Sequence, residues 1–158
     1  MDEEQDCLHL DSNLTEIRRA WPWAESLADK YRLSPETRYA IHLCLEEALA
    51  NIVLHGYRNE AGHPIVVRSC VAGGCLFFEI DDEAPPFAPT AAQSSPAAPD
   101  HVSLESIRPG GNGIPLLRRF AGSLDYAPLP NGNRLILGFP LASLPDDYRH
   151  SQVAHPSR

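Results

Sequence analysis

Two pairs of strand-like runs, each folded back through a glycine-containing turn, constrain this chain more than any other feature. Residues 64–71 (PIVVRSCV) and 75–81 (CLFFEID) stand either side of Ala72-Gly73-Gly74. Residues 123–127 and 134–140 flank Pro130-Asn131-Gly132-Asn133. Gly-Gly and Asn-Gly turns accept the positive φ that a tight antiparallel hairpin needs. Two hairpins give a mostly antiparallel sheet, and such a sheet must bury one face under something else.

Helices supply the cover. After a short candidate strand at 8–10, Asp11, Ser12 and Asn13 carry N-cap chemistry, with Glu16 three residues beyond Asn13. Leu14, Ile17, Trp21, Ala24, Ala28 and Tyr31 follow at helical spacing, which predicts a helix over 13–31 that Pro22 kinks or interrupts. Ser34-Pro35 starts a second helix that runs to His55 and ends at Gly56. Residues 84–109 form a long Pro/Ala/Ser-rich loop with room for a short helix near 103–107, and a glycine cluster at 109–113 then opens another helix. The expected fold is α+β: a two-layer sandwich, its mixed and mostly antiparallel sheet covered by helices on one face. Residues 1–141 make one domain, and 142–158 form a polar tail that frays.

Charge narrows the partners. The formal net charge is -8 and the pI about 5.3, so phosphate backbones and anionic membranes are repelled. The acidic N-terminus lacks the apolar core of a secretory signal, and no run is long enough to span a bilayer. A cytoplasmic protein is expected, bound neither to nucleic acid nor to membrane. Cys7, Cys44, Cys70 and Cys75 contain no CxxC pair and read as reduced thiols.

Residues 46–57, EEALANIVLHGY, place Glu47, Asn51 and His55 every four residues along a helix otherwise apolar. Ile41, Leu45, Ala48, Leu49, Ile52 and Val53 share the face that packs on the sheet. On spacing alone the polar stripe fits a solvated edge. It also fits chemistry: an amide oxygen at Asn51 is a hard ligand of the kind Mg²⁺ accepts, and a carboxylate one turn away at Glu47 can take a proton from a hydroxyl.

EALANIVLHGY resembles the N-box of the GHKL ATP-binding superfamily, and its HGY ending is most like the bacterial anti-sigma factor serine/threonine kinases of partner-switching systems. DEAPPFAP at 82–89 is similar to that family's D-x-G-x-P-F-D-P pattern, with Ala84 and Ala88 where glycine and a second aspartate are usual. PGGNGIPLL at 109–117 is similar to the glycine box after the ATP lid. Glycines there let backbone N–H groups and a helix N-terminus approach phosphates. The resemblance spans about 8–140 and implies a Bergerat-type ATP-binding fold.

The resemblance also implies roles. Asn51 binds Mg²⁺, and Glu47 activates the nucleophile. Asp82 accepts the adenine amine, with Ala84 beside it. Gly110, Gly111 and Gly113 cradle phosphates. Arg108 reaches the γ-phosphate or is simply a solvated lid residue. His55 closes the helix end or supports the phosphate contacts. Residues 88–109 act as a lid. The implied function is an ATP-dependent serine/threonine protein kinase that doubles as an anti-sigma factor and phosphorylates an anti-anti-sigma (STAS-type) partner. A sigma factor or another regulated target is the second partner, and a homodimer through Trp21 or Trp23 is a further expectation. Ala84 and Ala88 keep a different class open: a nucleotide-regulated binding module that transfers no phosphate. A histidine kinase fits less well, because the 46 residues before Glu47 leave no room for a phosphoacceptor hairpin.

Overall fold

The computed structural model describes residues 5–86, Leu117 and residues 120–141. Strand β1 (Asp6–Asp11) leads through a 3₁₀ turn (Glu16–Arg19) into α1 (Ala20–Lys30). Helix α2 (Pro35–Asn51) continues into one π-helical turn (Ile52–Gly56). Strands β2 (Pro64–Ala72), β3 (Cys75–Asp82), β4 (Ser123–Leu129) and β5 (Gly132–Pro140) follow. They form one antiparallel sheet in the order β1-β2-β3-β5-β4. The expected α+β two-layer sandwich is the observed one.

Strand alternation sorts the residues. Ile65, Val67, Leu76, Phe78, Ile80 and Leu137 are fully buried on the inner face. They meet Leu27 and Ala28 of α1 and Leu45, Ala48 and Leu49 of α2 in one core. Arg38 ties the two helices together. Its guanidinium donates to the Leu33 and Ala28 carbonyls and pairs with Glu25 at 3.1 Å and Asp29 at 2.7 Å. Its guanidinium thus adds a second partner to the Ala28 carbonyl, which already accepts from Leu33 N at 2.9 Å. The first hairpin turns on Gly73 and Gly74 at φ 55° and 76°, the paired positive angles expected of its Gly-Gly signal.

Three expectations change. The helix expected over 13–31 is split. Asn13 Oδ1 accepts from Thr15 N at 2.8 Å and Glu16 N at 3.1 Å, closing a separate turn before α1 begins at Ala20. Pro22 then falls in the first turn of α1, where its missing N–H is tolerated, and it kinks nothing. The helix does end at Gly56, but not through a left-handed cap, since its φ is not positive. A π turn, bonded from Tyr57 N to Ile52 O at 2.8 Å, takes the helix from Asn51 to that end, and Arg58 and Asn59 follow at φ 51° and 61°. Trp23 is no exposed contact residue: its ring meets Phe78 edge-on at 5.9 Å and packs against the core. Trp21 does remain 55% exposed, stacked on His42 at 3.7 Å.

The outer face carries a charge network. Asp81 accepts from Arg134 Nε at 2.8 Å and Arg68 Nη1 at 2.7 Å, and Glu79 lies 3.2–3.3 Å from the same two guanidiniums. Burial works against ionising Asp81, but the two arginines overcome it and hold its carboxyl below the usual range. A carboxyl depressed on folding stabilises the protein above its unfolded pKa, and that contribution fades as pH falls through the folded value. Asp81→Asn is therefore expected to cost about 1–3 kcal/mol near neutrality. Urea unfolding at stepped pH should show the gap between variant and parent closing below about pH 4. A gap independent of pH assigns the loss to packing instead.

All four cysteines are free, with Cys44 buried, as their spacing implied. Among the described residues no His/Cys/Asp/Glu group is placed to hold a metal, and no helix is long and apolar enough to cross a membrane.

Candidate nucleotide site

The polar stripe sits where α2 passes into the π turn. Ile41, Leu45, Ala48, Leu49 and Val53 are all buried on the sheet side. Glu47 and Asn51 lie on the flank, each half-buried and one helical turn apart. Burial first, and the neighbouring Glu46 charge second, push the Glu47 carboxyl above the usual carboxylate range. Neither side chain makes a hydrogen bond to another described residue. Two free oxygens at this spacing, in a partly desolvated position, suit a hard cation that also keeps waters. His55 is exposed on the π turn. π-helical turns are frequent at functional sites.

The π turn meets the end of β3 at two places. A methyl built on Gly56 would lie 3.1 Å from the Ala84 Cβ, so the Ala84 side chain occupies the room that Gly56 leaves. Tyr57 Oη accepts from Glu83 N at 2.6 Å and donates to the Pro64 carbonyl at 2.7 Å. Ala84 is buried and its φ is not positive, so alanine meets no backbone strain where the family pattern has glycine. The Gly and Tyr of HGY thus brace the turn after Asp82. Residue spacing gave no hint of it, because the partners are 26–28 positions away.

Asp81 and Asp82 are adjacent in sequence and opposite in role. Strand alternation turns Asp81 to the outer charge network and Asp82 to the inner face, where it is 8% exposed. Asp82 Oδ1 accepts from Ala84 N and from Asn133 Nδ2, both at 2.9 Å. Among the described residues both side-chain hydrogen bonds of Asp82 fall on Oδ1, and no buried polar side-chain atom lacks a partner, so Oδ2 reaches an accessible surface. Burial pushes the Asp82 carboxyl up, and the two N–H donors oppose that rise.

Asn133 and Tyr126 were missed by sequence reasoning. Asn133 lies inside a turn motif, and only the register Asp82↔Asn133 reveals its use. Gly132 was read as a turn residue, yet it opens β5 without a positive φ. A Cβ there would lie 1.8 Å from the Asp82 carbonyl, so glycine is required by close approach. Ala88, Arg108, Gly110, Gly111, Gly113, the lid at 88–109 and the helix near 103–107 lie outside the described residues. Beyond them, Leu117 is buried in the core and its carbonyl accepts from Ala121 N at 2.9 Å.

Comparison with known proteins gives the family and the fold. A family model described as a histidine kinase-like ATPase domain matches residues 10–139. A serine/threonine-protein kinase, BtrW of Bordetella bronchiseptica, is 33% identical over 139 residues, covering 87% of this chain and 94% of the relative. A crystal structure of the RsbU and RsbW domains of a Mycobacterium tuberculosis protein superposes with TM-score 0.60 at 16% identity, covering 86% of this chain. That likeness concerns the fold, and this chain spans about a third (32%) of the longer protein.

Proposed function

This chain belongs to the histidine kinase-like ATPase family, and from that premise we propose that it is a protein serine/threonine kinase of a partner switch. It binds Mg-ATP and phosphorylates a Ser or Thr on a small STAS-type anti-anti-sigma protein. It holds a sigma factor, or another regulated target, when that antagonist is phosphorylated. The observation that supports the site most directly is the joint between its two halves. Gly56 and Tyr57 seat the turn that carries Asp82 and Ala84 against the end of the helix bearing Glu47 and Asn51. The reaction class is suggested by the relative's name, and the sigma factor by the resemblance of the HGY ending.

Each residue has a task. Asp82 Oδ2 accepts the adenine amine. The Asn51 side-chain oxygen holds Mg²⁺, and the glycines at 110, 111 and 113 approach the phosphates. A bound magnesium ion supplies charge neutralisation on the phosphate oxygens. Glu47 accepts the hydroxyl proton while the Ser or Thr oxygen bonds to the γ-phosphorus and the bond to the ADP oxygen breaks. Its raised pKa suits it to that proton, since a base poised closer to working pH keeps driving force for transfer.

Calorimetric titration with Mg-ATP tests the binding half. The parent protein is expected to bind. Asn51→Ala is expected to weaken Mg-ATP at least about tenfold, as losing one contact to a charged group costs about 1.5–3 kcal/mol. The same variant should hardly change affinity measured in EDTA. Failure of the parent to bind at millimolar nucleotide would sink the reading.

A further inference from the structure

We propose that Asn133, held in place by Tyr126, is the positioning residue that makes this site choose adenine over guanine, by fixing Asp82 as a hydrogen-bond acceptor. The proposal deepens the nucleotide reading above and rests on it.

Asn133 stands directly across the β3–β5 ladder from Asp82 and is 5% exposed. A buried amide must spend its donors, and this one spends them on the adenine turn. Nδ2 donates to Asp82 Oδ1 at 2.9 Å and lies 3.2 Å from the Ala84 carbonyl and 3.3 Å from that of Pro85. The Tyr126 hydroxyl donates to Asn133 Oδ1. The three acceptors around Nδ2 settle which way the amide faces, and Tyr126 then meets its oxygen. The reverse orientation would set its oxygen against the Asp82 carboxylate and two carbonyls, and would offer Tyr126 an N–H in place of an acceptor. Tyr126 is placed for this on β4, paired with Leu135, two residues along β5 from Asn133.

The consequence falls on Asp82. Both its donors, Asn133 Nδ2 and Ala84 N, use Oδ1. Oδ2 is left to meet the ligand as an acceptor. Adenine carries an amine at C6 and guanine a carbonyl, so an acceptor there favours the first and repels the second. A protonated carboxyl would lose that distinction, because it can donate to the guanine carbonyl. Burial presses the Asp82 pKa up, and the donated hydrogen bonds from Asn133 and Ala84 oppose that rise. Without Asn133 the carboxyl loses a bond that aims it and keeps it an acceptor. Sites that read a partner's hydrogen-bonding group discriminate strongly, since the wrong ligand leaves a buried polar group unpaired.

The test measures Kd for Mg-ATP and Mg-GTP by calorimetry on the parent, Asn133→Ala and Tyr126→Phe, with Asp82→Asn as the benchmark of lost selectivity. Asn133→Ala is expected to lower the ATP:GTP preference about tenfold, and Tyr126→Phe about threefold in the same direction. A general structural loss weakens both nucleotides alike, so an unchanged ratio in these variants overturns the proposal. If Asn133→Ala does not fold, Tyr126→Phe decides alone: a reduced preference supports the proposal, and an unchanged one overturns it. Should the parent bind neither nucleotide, the nucleotide reading itself fails and this inference falls with it. A parent that binds ATP while both variants keep its preference isolates the failure to Asn133.

Discussion

Glu47→Ala should retain Mg-ATP affinity within a few-fold and lose phosphotransfer by about 10²- to 10⁴-fold, the usual contribution of a positioned general base. The asymmetry follows from where each residue acts. A proton acceptor works on the reaction more than on the bound ground state, so removing it lowers turnover without emptying the site. Glu47 fits that task in two respects: it lies half-buried one turn from Asn51, and burial raises its carboxyl pKa. Because the folded pKa is raised, the residue becomes an active base only as pH climbs through that value. The rate should therefore show an acid limb displaced above the ordinary 4.5, and the limb should vanish in Glu47→Ala. The assay is transfer of labelled phosphate to a STAS-type partner with its Ser or Thr intact. If the parent binds ATP and partner yet transfers nothing, and Glu47→Ala changes nothing, the chain is a nucleotide-gated binding module and the stripe is a solvated edge.

Gly132→Ala should destabilise the fold by about 3 kcal/mol, the upper end of ordinary overpacking. The alanine Cβ would lie 1.8 Å from the Asp82 carbonyl oxygen and 2.9 Å from Glu83 Cα, both backbone atoms that cannot rotate aside. The strand ends must part, and the Asp82–Asn133 hydrogen bond lies beside them. For a domain of this size the melting temperature should fall by roughly 6–12 °C. Nucleotide affinity should fall too, even well below the melting range, because the turn that carries Asp82 is what moves. Gly62 is the contrast. A Cβ there meets nothing within 4 Å, and only its φ of 93° is strained, so Gly62→Ala should lower stability without touching nucleotide binding. Equal binding losses in the two variants would break the link between Gly132 and the site.

Much of this architecture was legible in order. The Gly73-Gly74 turn declared its hairpin because paired positive φ is a local requirement with few residues able to meet it. Helix α2 declared its buried face because a 3.6-residue period survives whatever the helix packs on. Its Ser34 cap accepts from Thr37 N at 3.2 Å, with Pro35 at the first position, as the local chemistry requires. The Pro130-Asn131-Gly132-Asn133 signal located the second hairpin, but Gly132 serves a close approach to Asp82 rather than a positive φ, a use that its identity alone does not reveal. Gly56 ends the helix as its place implied, and its missing side chain also leaves room for Ala84, a contact the sequence did not show.

What the sequence by itself determined is therefore local: which segments become strands and helices, and which helical face is apolar. Its motifs also reached the family, which the match over 10–139 bears out. What only the tertiary structure decided is pairing across distance. Asp82, not Asp81, faces inward because strand register puts one carboxylate beside Asn133 and its neighbour between Arg68 and Arg134. Asn133 and Tyr126 become site residues only once β5 lies between β3 and β4. Turns and helical periods are set by residues a few positions apart, so the chain displays them. Partners 26–53 residues apart are chosen by how a whole sheet and its helices exclude water together, and no short stretch of the chain carries that information.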